Sequence, residues 1–76
     1  MDLVQRLSRY LDVAVEAELI ENIFSEYDWE QMGYNSSRTK LTYIESPMGK
    51  EIDLHIEMIN DYKLFIIREI ETLYWD

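Results

Sequence analysis

Residues 51–59, EIDLHIEMI, alternate strictly between polar and apolar side chains. The apolar side chains share one face: Ile52, Leu54, Ile56 and Met58. The polar side chains share the other: Glu51, Asp53, His55 and Glu57. Because successive side chains of a strand point to opposite faces, this period predicts a half-buried antiparallel strand. A sheet with one buried face is therefore the first structural expectation for this chain.

Two neighbouring stretches also have strand character, LTYIES before residue 47 and YKLFII over residues 62–67. Turn residues separate the three strands: Ser46-Pro47-Met48-Gly49 and Asn60-Asp61. The three strands predict an antiparallel meander over residues 40–70, with the third strand at its edge. The residues after it, REIETLYWD, fit a continued strand or a helix, and we favour a strand through about Ile70. That strand is apolar on both faces, so the last residues of the chain or a second copy should cover it.

The first 34 residues have helical spacing instead. Leu3, Leu7 and Leu11 line one face, and a second apolar stripe includes Ile23 and Phe24. β-branched residues after residue 12 leave open whether this segment is one long helix or two shorter ones, and a glycine at position 33 is a plausible helix stop. The predicted fold is therefore α+β, a single domain over residues 1–76. An N-terminal helix or helix pair (residues 1–34) packs on a three-stranded antiparallel β-meander (residues 40–70).

Charge limits the classes of partner. Sixteen acidic residues against seven basic ones give a net charge of −9. This charge argues against direct binding of nucleic acid or of an anionic membrane, and it favours a protein with a basic surface. The acids are concentrated over residues 12–34, a stretch that contains no lysine or arginine: Asp12, Glu16, Glu18, Glu21, Glu26, Asp28 and Glu30.

Four residues of this stretch are spaced by four and would form one stripe on a continuous helix: Glu18, Asn22, Glu26 and Glu30. If the helix extends to residue 30, Trp29 projects among these carboxylates, an arrangement typical of an interface hot spot. If it ends near Tyr27, Trp29 folds under the sheet, and the sequence leaves both positions open. The predicted partner-binding residues are Glu18, Glu21, Asn22, Glu26, Asp28, Trp29 and Glu30.

The sequence shows no catalytic, metal-binding or nucleotide-binding motif, so we expect neither enzymatic activity nor a cofactor. His55 is the only histidine, and one histidine flanked by carboxylates is a weak metal site. We expect it to be exposed and held by neighbouring acids. Cross-strand pairing with Lys40 or Arg68 should neutralise part of the acidic row on its strand.

In size, charge and lack of catalytic motifs, the chain resembles the small acidic inhibitors made by phages and mobile elements. These include anti-CRISPR proteins, anti-restriction nucleic-acid mimics, and immunity or antitoxin proteins. The resemblance is one of type and involves no particular residue. It implies an inhibitor that occludes a basic, for example nucleic-acid-binding, surface of a target protein.

The alternative is a self-associating structural or regulatory subunit, a homodimer that pairs through the third strand or through the C-terminal Tyr74-Trp75-Asp76. The chain has no run of 18 apolar residues and no apolar leader, so we expect no transmembrane helix and no signal peptide. A cytoplasmic location follows from these expectations.

Overall fold

The structure, a computed structural model, describes residues 2–45, 49–59, 61 and 63–74. The helices and strands follow in the order α1 (Leu3–Ser8), β1 (Ala14–Glu16), α2 (Ala17–Ser25), β2 (Trp29–Tyr34), β3 (Lys40–Glu45), β4 (Lys50–Ile59) and β5 (Leu64–Tyr74). The strands form one antiparallel sheet in the order β1-β5-β4-β3-β2, which curls into a half-barrel.

The prediction of a three-stranded meander is wrong, although the combination of helices with an antiparallel sheet is correct. The sheet has five strands, because β1 and β2 form from the segment that was predicted to be entirely helical, residues 1–34. The third predicted strand is not an edge strand: β5 lies between β4 and β1. Over residues 64–67, the N-terminal part of the chain therefore covers the edge that was expected to need the C-terminus or a second copy.

Two helices form rather than one. α1 begins after Asp2, whose carboxylate accepts a hydrogen bond from the backbone N–H of Gln5 at 2.9 Å, a standard N-cap. Asp12 then adopts a left-handed backbone conformation (φ 62°), which interrupts the helical path before β1. α2 ends at Ser25, and Asp28 is again left-handed (φ 51°), so that the chain turns into β2. Asp is among the residues that tolerate this conformation.

The nine residues of α2 join the two opposite edges of the sheet, since β1 precedes the helix and β2 follows it after a short turn. α2 therefore crosses the open side of the half-barrel. Its buried face, Ile20, Ile23 and Phe24, packs onto the concave face of the sheet. The sheet contributes fully buried residues to the same core: Leu41, Tyr43, Ile52, Leu54, Phe65 and Ile67.

An aromatic stack lies at the centre of this core. The rings of Phe24 and Tyr43 are nearly parallel, with centroids 3.6 Å apart, and Trp29 meets Phe24 edge-on at 5.9 Å. The Tyr43 hydroxyl accepts a hydrogen bond from the side-chain amide of Gln31 at 3.1 Å, so the buried phenol keeps a polar partner. Burial raises the pKa of Tyr43 to about 12.

The strand predicted from alternation is confirmed in β4, where Ile52, Leu54 and Ile56 are all buried. The strand prediction through residue 70 is also confirmed, and β5 continues to Tyr74. Several predicted features lie outside the described residues. These are Ser46, Pro47 and Met48 of the first turn, Asn60 of the second, and Trp75 and Asp76 at the C-terminus.

Gly33 was a plausible helix stop, and this prediction is wrong because the residue lies within β2. The pairing of β2 with β3 shifts register between Gln31 and Gly33, which marks a β-bulge. Gly33 has φ 108°, a conformation that residues with a Cβ rarely adopt.

Replacing Gly33 with alanine should lower the free energy of unfolding by about 1–2 kcal/mol. The added methyl group would meet no atom within 4 Å, so the cost would come from the backbone conformation alone. Urea denaturation measures this loss. Gly49→Ala is the matched control, because its new methyl group also meets no atom within 4 Å and its backbone has no positive φ. Equal losses in the two variants would contradict the backbone explanation.

Candidate protein-binding surface

Four of the seven predicted partner-binding residues lie together on or next to α2 and are exposed: Glu18, Glu21, Asn22 and Asp28. We call this set the acidic surface. Within the part of the chain that the structure describes, none of its three carboxylates forms an ion pair. These charges therefore face solvent.

The predicted stripe of residues spaced by four does not continue past α2. Glu26 is the C-cap residue of α2, and its carboxylate accepts a hydrogen bond from the Arg6 guanidinium at 3.0 Å. This contact ties α1 to α2, and it lowers the pKa of Glu26 below its usual value. Glu30 lies in β2 opposite Ile44, on the convex face of the sheet, and is exposed. The four residues therefore do not form one stripe, because Glu26 is held in an ion pair within the fold and Glu30 lies on a different face of the molecule.

Trp29 begins β2 and lies on the concave side, where its ring contacts Phe24. It is half-buried. The sequence left open whether Trp29 projects among the carboxylates or folds under the sheet, and the structure places it under the sheet. Trp29 is therefore not an isolated anchor among carboxylates, and one edge of its ring belongs to the core.

The acidic row on β4 is partly neutralised within the sheet, as expected. Lys40 Nζ lies 3.8 Å from Asp53 Oδ2, and Arg68 donates to Glu57 at 3.1 Å. Asp53 is 3% exposed and also accepts a hydrogen bond from the Thr42 hydroxyl at 3.0 Å. This row is therefore a weaker candidate for partner binding than the acidic surface.

Two further contacts involve His55 and Asp12. His55 Nε2 lies within hydrogen-bond distance of Glu71 Oε1 on β5, at 2.9 Å, so an acid on the adjacent strand holds it rather than its neighbours in β4. Arg68 also donates to Asp12 at 2.8 Å, and these two carboxylate contacts, with Asp12 and with Glu57, raise the pKa of the guanidinium. Asp12 is therefore not available to a partner in the way that the acids of α2 are.

β2 follows the acidic surface in the chain and forms one edge of the sheet. Burial raises the pKa of the Tyr34 phenol, the positive charge of Arg38 lowers it, and the negative charge of Glu21 raises it. β3 is the one strand that pairs with β2 among the described residues. Met32 in β2 is 58% exposed. β2 thus combines an open strand edge with an exposed apolar side chain.

A cleft of about 410 Å³ opens at the end of the half-barrel where β2 begins and β5 ends. Its walls combine α1 with the concave face of the sheet: Val4, Tyr27, Trp29, Ile52 and Tyr74. Charged side chains surround its mouth: Asp2, Glu45 and Lys50. The volume is typical of small-ligand and side-chain pockets. We call this feature the aromatic cleft.

Comparison with known proteins gives no matching family model, no similar curated protein and no similar solved structure. In the described ranges, no group of three histidine, cysteine or acidic residues is placed to hold a metal ion. None of the helices described has the length and apolar character needed to cross a membrane. The charge and shape of the surface are therefore the basis on which a function can be proposed.

Proposed function

We propose that this protein is an inhibitor that binds a basic surface of a target protein through its acidic surface. One observation carries the proposal. Of the seven acids in residues 12–34, two are paired within the fold (Asp12 with Arg68, and Glu26 with Arg6). The other five form no ion pair with any residue that the structure describes: Glu16, Glu18, Glu21, Asp28 and Glu30.

Glu16 and Glu18, at the start of α2, suit the positive end of the helix dipole, whereas no role in folding is evident for Glu21, Asp28 and Glu30. Like charges close together on one helix destabilise it by a few tenths of a kcal/mol per pair. A basic partner would reverse that cost, and the field of a protein with net charge −9 would accelerate the encounter. The target would be blocked by occupancy, with no chemical step.

Basic surfaces that bind nucleic acid are the targets that fit best, because they display lysine and arginine side chains to a polyanion. A compact acidic protein could compete for the same side chains. Action of this kind would suit the anti-defence inhibitors of phages and mobile elements, including anti-CRISPR proteins. The proposal includes a cytoplasmic location, which suits a chain without cysteine.

The test uses two double variants that change the net charge equally. Glu18→Gln with Glu21→Gln neutralises the acidic surface, whereas Asp61→Asn with Glu69→Gln neutralises two exposed acids elsewhere. A target is first captured from host lysate and purified, and its Kd is then measured at several salt concentrations. We expect the first variant to bind roughly tenfold more weakly, which is about 1.4 kcal/mol, and the second to bind like the wild type.

Two results would contradict the proposal. Equal weakening by both variants would mean that net charge, rather than the acidic surface, governs binding. An affinity that does not fall as salt rises would remove the electrostatic basis altogether, because interactions between exposed charges are screened by salt.

The alternative, self-association, has one specific observation in its favour. β1 pairs with β5 over residues 64–66, and a bridge from Leu11 reaches Ile67. Beyond Ile67, β5 pairs with β4 alone among the described strands. Tyr74 in this part of β5 is 70% exposed. A homodimer through the C-terminal half of β5 would place these groups in an interface, and sedimentation over a wide range of protein concentrations would detect it.

A further inference from the structure

The aromatic cleft has the composition of a site for a long aliphatic side chain with a cationic end. Val4 on α1 and three aromatic residues supply its apolar surface: Tyr27, Trp29 and Tyr74. Polar groups also line the cleft: Asp2, Glu45, Lys50 and Thr72. Aromatic faces attract lysine and arginine as well as apolar groups.

Two of these rings already have cations near their faces. The Arg6 guanidinium lies 5.6 Å from the centre of the Tyr27 ring, and Lys50 Nζ lies 6.0 Å from the centre of the Tyr74 ring. Both distances are within the range of a cation–π interaction. The chain therefore already places two of its own cations against rings that line the cleft.

A carboxylate at the mouth supplies the opposite charge. Glu45 lines the cleft and forms no ion pair with the described residues. The carboxylate of Asp2 also lies at the mouth, although one of its oxygens already accepts a hydrogen bond from Gln5. Lys50 opposes these charges, since it occupies the face of Tyr74 and would repel an incoming cation.

We propose that the aromatic cleft receives a lysine or arginine side chain of the target protein, with its aliphatic part against Val4 and Trp29 and its charged end near Glu45. This proposal rests on the proposed function, because it names the group on the basic partner that the cleft would recognise. It adds a second contact region, separate from the acidic surface on α2. Trp29 belongs to this region.

The test uses small molecules, so that it does not depend on knowing the target. n-Butylguanidinium reproduces the end of an arginine side chain, and 1-pentanol is a neutral molecule of similar length. Binding is followed by the indole N–H signal of Trp29 in a nitrogen–proton NMR spectrum. The chain has two tryptophans, and Trp75→Phe assigns the signals. We expect saturable, millimolar binding of n-butylguanidinium and much weaker binding of pentanol.

Two substitutions at the mouth should act in opposite directions. Glu45→Gln removes the attracting charge and should weaken n-butylguanidinium binding roughly threefold. Lys50→Met removes the competing cation and should strengthen it by a similar factor. Pentanol binding should respond to neither substitution. In a pocket that recognises only apolar groups, the two substitutions would not change the affinity for n-butylguanidinium in opposite directions.

The outcomes separate this proposal from the proposed function. Pentanol binding as tightly as n-butylguanidinium, or no saturable shift of the Trp29 signal, would overturn the cleft proposal. The variant with Glu18→Gln and Glu21→Gln should bind n-butylguanidinium like the wild type while losing affinity for the target. If that variant loses target affinity and the cleft binds no cation, the acidic surface retains its proposed role and the cleft does not.

Discussion

Replacing Phe24 with alanine should leave the protein largely unfolded at room temperature. Phe24 is 0% exposed, and its ring contacts both Tyr43 and Trp29. Phe-to-Ala changes in a core typically cost about 3–5 kcal/mol, through lost burial and the cavity that remains. A core in a chain of 76 residues usually supplies only about 3–5 kcal/mol in total. The near-ultraviolet circular dichroism of the aromatic stack should therefore disappear without denaturant.

Leu19→Ala is the control, because Leu19 lies on the same helix and is 38% exposed. It should lower the free energy of unfolding by less than about 1 kcal/mol, since its side chain is only partly removed from water. Urea titrations of the two variants provide the comparison. If Phe24→Ala were no less stable than Leu19→Ala, α2 would not close the half-barrel in the way described.

Replacing Val15 with aspartate should destabilise the protein by roughly 3–5 kcal/mol and also make it self-associate. Val15 is 6% exposed and pairs with Phe65, at the point where β1 covers the edge of β5. A carboxylate there would be buried without a partner, so β1 should detach from the sheet. The exposed edge of β5 would then offer free backbone groups and apolar side chains to another copy.

Urea denaturation measures the first effect, and analytical ultracentrifugation measures the second. Ala14→Asp adds the same charge at the neighbouring position of β1, but Ala14 is exposed, so its cost should stay below about 1 kcal/mol. A Val15→Asp protein that remained monomeric and stable would show that β1 is dispensable. The edge of β5 would then be protected by something other than this short strand.

The prediction of β4 succeeded because its information is local. An alternation of polar and apolar residues over nine positions fits only a strand with one buried face, whatever the partners are. The interruption of the helical segment near Asp12 also has a local signal, since β-branched residues follow position 12, although the sequence left one long helix open. Cross-strand neutralisation by Lys40 and Arg68 also followed from the position of the charges on known strands.

The candidate site was predictable only in part. The concentration of acids over residues 12–34 is visible in the sequence, and Glu18, Glu21 and Asn22 lie exposed on a helix. The pairing of Glu26 with Arg6 was not visible, because the two residues are 20 positions apart in the chain and only the packing of α1 against α2 brings them together. The aromatic cleft was missed for the same reason: its walls come from α1, β2, β4 and β5.

Local pattern thus specified the central strand and the sign of the surface charge. Whether the segments of β1 and β2 form strands or helix depended on the tertiary structure. Residues 29–34, WEQMGY, have no clean period of two, and apolar residues up to Tyr27 favour a helix. Those six residues become a strand because β3 offers an unpaired edge, and the three residues of β1 do so because β5 offers another. Backbone hydrogen bonds to a sheet that already exists outweigh the weak local preference of such short segments.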